Sequence, residues 1–115
     1  MFEVTVPADP GELAPVRHRI AAVLHAQHRT DAHIWRVSVV ASELLTLSIA
    51  QGNDHSAILR LSALPDVTRV ELVDHLQHLS VFDSPQGQLV TRIASIWGVM
   101  RDDAGYRTVW CDVTQ

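Results

Sequence analysis

The longest apolar run, Ile34 to Gln51 (IWRVSVVASELLTLSIAQ), is eighteen residues without Gly or Pro, and the rest of the chain is organised around it. Ile34, Val37, Ala41, Leu44 and Leu45 fall on one side of a helix, and Val40, Leu44, Leu47 and Ile49 on another. That spacing covers most of the circumference rather than one stripe, which predicts a helix buried between other elements. Arg36, Ser38, Ser42 and Glu43 interrupt the run and argue against a membrane span. Glu43 is the only acidic side chain in the segment, and a carboxylate in such a helix is costly without water, a partner or a ligand. It lies at the wet edge of the helix or it faces a site.

Either side of this run the periodicity changes. Phe2, Val4 and Val6 alternate with Glu3 and Thr5, the pattern of a half-buried strand, which Pro7 ends. Pro10 and Gly11 mark a loop, and Pro15 suits the first turn of a helix whose apolar face, Val16, Ile20, Val23 and Leu24, runs to about His28. Asp31 is placed to cap the long helix and Gly52-Asn53 to end it. Residues 57–64 and 67–74, joined at Pro65-Asp66, predict an antiparallel hairpin. The polar stretch 75–86 reads as a loop, 88–96 as a short third helix, and about 97–101 and 106–113 as two strands around Asp102-Asp103-Ala104-Gly105. The order β-α-α-β-β-loop-α-β-β predicts an α+β fold: a two-layer α/β sandwich with a mixed, mainly antiparallel sheet and the helices on one face. At 115 residues, without repeats or linkers, the chain is expected to be one domain, 1–115.

Composition narrows the function classes. An apolar fraction of 47% and a charged fraction of 19% suit a compact soluble protein. The net charge is -4 and all nine basic residues are Arg, scattered rather than clustered, so no nucleic-acid surface is expected. The single Cys111 excludes an internal disulfide, fits a reducing compartment, and by its strand position reads as a small core residue. The first residues carry no basic region and no long apolar run, so no signal peptide and a cytoplasmic location are expected. His25/His28 and His75/His78 share H-x-x-H spacing, but nothing completes a closed zinc set, so they read as surface histidines and no metal site is expected. Trp35, Trp97 and Trp110 read mostly as core, with Trp35 also placed to be an exposed anchor.

Four passages, in this order, resemble the anti-sigma-factor serine kinases, small members of the GHKL (histidine-kinase-like, Bergerat-fold) ATPase superfamily. Ser42-Glu43-Leu44 is similar to the start of the family's N-box helix, and Val70-Glu71-Leu72-Val73-Asp74 to the strand that delivers an adenine-binding Asp. Ala94-Ser95-Ile96-Trp97-Gly98-Val99 resembles the passage closing the third helix, and Gly105-Tyr106-Arg107-Thr108-Val109-Trp110 the last strand. The resemblance covers nearly the whole chain. It implies Glu43 as a base, here a vestigial one, Asp74 with Thr108 at the adenine end, and Gly87 as the remnant of a phosphate-cradling glycine box.

The chain also departs from that pattern. The family's Mg²⁺-ligating Asn, four residues after the Glu, is replaced by Leu47, which has no oxygen for a hard cation. The closing His is Gln51, and the glycines after the Asp are Leu76 and His78, whose side chains enter space the backbone needs for close approach. A single Gly87 makes a poor phosphate nest. These departures imply lost or weakened ATP binding, with no cofactor, and a regulatory protein that acts by binding a sigma factor, a STAS-type antagonist or a homologous partner, as a homodimer or half of a heterodimer. The alternatives are an active ATP- and Mg-dependent protein serine kinase, and a ligand-free dimeric scaffold.

Overall fold

The alternation at the start of the chain forms β1 (Phe2–Pro7), and a 3-10 turn at Pro10–Glu12 leads into α1 (Leu13–Ala26). The long apolar run is α2 (Asp31–Ala50). Then follow β2 (Ser56–Leu64), β3 (Val67–Asp74), α3 (Pro85–Ile93), β4 (Ile96–Arg101) and β5 (Arg107–Thr114). These elements are seen in a computed structural model that describes residues 1–115.

The five strands make one open sheet in the order β1-β2-β3-β5-β4. All four pairings are antiparallel, which corrects the expectation of a mixed sheet. The short hairpin turns at 65–66 and 102–106 reverse the chain directly, and the one crossover, β3–α3–β4, joins two parallel strands that are not neighbours because β5 lies between them. The two-layer α+β sandwich stands as expected, with α2 packed against α1, α3 and the sheet.

Strand parity divides the sheet into two faces. Leu59 pairs with Leu72 and Leu72 with Val109, while Leu61 pairs with Val70 and Val70 with Cys111. All six are buried under the helices, joined from α2 by Val37, Val40, Ala41, Leu44, Leu45 and Leu47. The opposite face carries rows such as Glu3–Arg60–Glu71–Trp110–Gly98, and no helix covers it. Trp110 lies flat over Gly98, where an added Cβ would sit 2.7 Å from the ring, and the Arg69 guanidinium stacks 4.7 Å from the indole centroid.

Local signals shift some boundaries. Thr30, not Asp31, caps α2, its side chain accepting from the His33 amide at 3.2 Å. The third helix starts at Pro85 rather than 88, because Ser84 caps it and proline suits its first turn. The helix also ends earlier, at Ile93, so Ile96 begins β4 instead of ending α3. Trp97 is 41% exposed on this edge strand and Trp110 is half-buried on the open face, so neither belongs to the core as expected.

Candidate functional site

Period-two alternation turns Asp74 to the same face as Val70 and Leu72, and Arg107 to the same face as Val109, Cys111 and Val113. The register sets these two charged residues directly opposite each other at the ends of β3 and β5. Their side chains are 0% and 1% exposed. Arg107 Nε donates to Asp74 Oδ1 at 2.9 Å and Nη2 to Oδ2 at 2.7 Å, a bidentate, charge-assisted pair. The remaining lone pairs of the carboxylate accept from Ser48 Oγ at 2.9 Å and from the Leu76 amide at 3.2 Å. Asn53 donates to Ser48 at 3.0 Å, while Arg107 Nη1 donates to Gln51 Oε1 and to the His78 carbonyl, both at 2.7 Å. The network therefore spans the C-terminal end of α2, two strand ends and the 75–80 loop. Arg101 fastens the same loop, donating to Leu76 O at 3.2 Å and Gln77 O at 2.7 Å.

The residues named from the sequence do not converge. Thr108 pairs with Val73 and Met100 on the uncovered face, opposite to Asp74, so the two adenine-end candidates point away from each other. Gly87 is buried, and a Cβ there would meet Phe82 Cα at 2.5 Å and Val81 O at 2.7 Å. Its amide donates to Ser84 Oγ at 3.1 Å, so the helix cap already uses it and the glycine has a packing reason of its own. Leu47 lies in the core at 4% exposure. Leu76 is only half-buried, its amide donating to Asp74, and His78 is exposed.

Glu43 is half-buried on the solvent side of α2. With Arg17, Trp35, Ser38, Val39 and Ser42 it lines a surface groove of about 330 Å³ between α1 and α2. None of the three cavities of the molecule is lined by Asp74, Thr108 or Gly87. A separate groove, about 180 Å³, lies near the C-terminal end of α2 between Pro10, Leu13, Thr46, Ile49 and Ala50. Trp35 is 63% exposed at the other end. Across residues 13–36, Arg17, Arg19, Arg29 and Arg36 face a single acidic residue, Asp31, in a chain whose net charge is -4. None of those four arginines makes an ion pair with a carboxylate; the four ion pairs of the molecule use His55, Arg60, Arg69 and Arg107.

His25, His28, His75 and His78 are all exposed, and no three His, Cys, Asp or Glu side chains gather where they could hold a metal ion. Cys111 is fully buried, and loss of water around its thiol pushes its pKa up to about 12, which makes it inert as a nucleophile. Sequence reasoning missed Arg107, Ser48 and the buried His33. The signal for Arg107 was parity: counting back from Val113 and Cys111 in steps of two reaches it on the inward face. In comparisons with known proteins, no family model and no curated sequence matches the chain.

Proposed function

We propose that the chain is a regulatory domain of the anti-sigma type that binds a protein partner through the α1–α2 groove and does so without nucleotide. The observation that carries this reading is a surface groove that sets the Arg17 guanidinium, which has no ion-pair partner, near the 63% exposed Trp35. Arginine and tryptophan anchors at the centre of a groove are what dominate the energetics of protein interfaces. Arg17 makes only one long contact, 3.4 Å to Ser42 Oγ, so its guanidinium is free to pair with an incoming carboxylate. A sigma factor, a STAS-type antagonist and a homologous partner remain the partner classes, in a cytoplasmic setting, with the domain working as a homodimer or half of a heterodimer.

The Asp74–Arg107 pair bears on the nucleotide alternative. A carboxylate whose oxygens already hold four donors has no lone pair left for an exocyclic amine, so adenine binding requires Arg107 to leave. Two experiments test the reading. Affinity purification from the native host should recover a stoichiometric protein partner, and Arg17→Glu with Trp35→Ala should abolish its recovery while leaving the melting temperature near wild type. Retention of that partner by the double variant would refute the groove. Thermal melting with about 1 mM Mg-ATP should show no shift, whereas a site with a Kd of about 10 μM would add about 2.7 kcal/mol, or on the order of 10 °C. Such a shift, or phosphate transfer to a serine of the recovered partner, would restore the ATP-dependent serine kinase.

A further inference from the structure

His33 is the third residue of α2, fully buried, and the other six histidines are exposed. Its Nε2 meets Thr68 Oγ1 of β3 at 2.8 Å, and its Nδ1 has no hydrogen-bond partner at all. It sits where the N-terminal turn of α2 lies over the end of the sheet. Two arginines stitch that joint to backbone carbonyls. Arg29, from the connection between α1 and α2, donates to the carbonyls of Leu64 and Pro65 in the β2–β3 turn and to Gln115 Oε1. Arg36, one turn further along α2, donates to the Thr114 carbonyl at 3.0 Å, and the Gln115 amide closes onto Asp66 O at 2.8 Å. Both guanidinium charges are thus held beside the imidazole by uncharged acceptors.

We propose that His33 makes this joint an acid-sensitive catch, closed while the imidazole is neutral and released when it takes up a proton. A proton on Nδ1 would create a buried N–H whose one nearby acceptor, the Thr114 carbonyl, it would have to share with Arg36. It would also place a third positive charge beside Arg29 and Arg36, at the positive end of the α2 dipole. The groups that face the ring are Arg29, Arg36, the Thr68 hydroxyl from β3 and the Thr114 backbone from β5; no carboxylate pairs with it. Loss of water around the ring, then Arg29 and Arg36, lower its pKa from the usual 6.5, and the Thr114 backbone only partly opposes them. The folded value lies below the unfolded one, so the stabilisation is complete above about 6.5 and is lost as pH falls toward the folded value. One proton is involved, so the open population rises by up to about tenfold per pH unit through that window. Trp35 lies in the same turn, and release would loosen one wall of the α1–α2 groove.

Hydrogen exchange followed by mass spectrometry at about pH 7.5, 6.5 and 5.5, corrected for the intrinsic chemical rate, tests the catch. Peptides covering 30–36, 64–68 and 112–115 should lose protection in acid, while a β1 peptide holds. His33→Gln, which reaches Thr68 but does not titrate, should make the profile flat. An NMR titration of the wild-type imidazoles provides a reading that does not depend on the variant folding, with one of seven midpoints displaced below the rest. If His33 titrates with the exposed six, if the joint keeps equal protection at every pH, or if β1 opens in parallel, the proposal is overturned.

Discussion

Arg107→Met separates a structural ion pair from an open, solvated site. Methionine keeps an unbranched stem of similar reach and removes the guanidinium, leaving the Asp74 carboxylate with only Ser48 Oγ and the Leu76 amide at 0% side-chain exposure. Breaking a buried pair in this way costs about 3–5 kcal/mol, because the surviving charge stays desolvated. Against a total stability of about 5–15 kcal/mol for a small domain, that is about a fifth of the whole or more, and a fall in melting temperature of roughly 10–20 °C. Gln51 and the His78 carbonyl lose a donor too, but both reach water and contribute little to the loss. The double variant Asp74→Leu/Arg107→Met removes both charges and should recover most of that loss, the residual being the Ser48 hydroxyl and the Leu76 amide left without their acceptor. Urea unfolding with an unchanged slope provides the free energies, and the double-mutant cycle isolates the coupling. A single variant that costs less than about 1 kcal/mol would refute the reasoning, as would a double variant no better than the single. Either result would mean that water already reaches Asp74.

Leu47→Asn should cost roughly 1–3 kcal/mol in urea unfolding because its amide enters an apolar core, and Mg-ATP should not recover that loss in a melt. Gly87→Ala should destabilise by about 1–3 kcal/mol, since the new Cβ meets backbone atoms of Phe82 and Val81 rather than a flexible side-chain end. Cys111 should resist iodoacetamide at pH 8 in the native protein and react fully in denaturant, as read by intact mass; native modification within minutes would contradict its burial and raised pKa.

The helical layer was legible because its periodicity is local. Val16, Ile20 and Leu24, and the broad apolar surface of α2, needed nothing from elsewhere in the chain to be read. Each strand was legible for the same reason, from β1's alternation to the hairpin turn at Pro65-Asp66. The start of α3 is hidden in a polar stretch, where Pro85 has the look of a loop residue; Ser-Pro becomes a helix start when an amide three residues on binds the serine. The candidate site was harder. Asp74 and Arg107 are separated by the whole of α3 and β4, and only the register of β3 on β5 shows that they meet. Thr108 was grouped with Asp74 by resemblance, whereas strand parity sends it to the other face. His33 lay unnoticed in the first turn of a helix, where histidine is ordinarily a surface residue; its burial follows from the way α2 crosses the sheet end.

The strand order carries a consequence for synthesis. β1 pairs only with β2, Phe2 opposite Leu61 and Val6 opposite Ala57, so the earliest strand to leave the ribosome has no neighbour until β2 has followed it. At translation rates of about 5–20 residues per second, the delay is roughly 3–12 s. During that interval α1 and α2 can form, since their hydrogen bonds are internal, while Phe2, Val4 and Val6 wait without the sheet that will bury them. The β2–β3 pairing is local in sequence and the β1–β2 pairing is not, so the hairpin can form its edge before β1 adds to it. A nascent chain stalled in α2 would therefore present an unpaired, alternating strand, held soluble by Glu3 and brought to an end by Pro7.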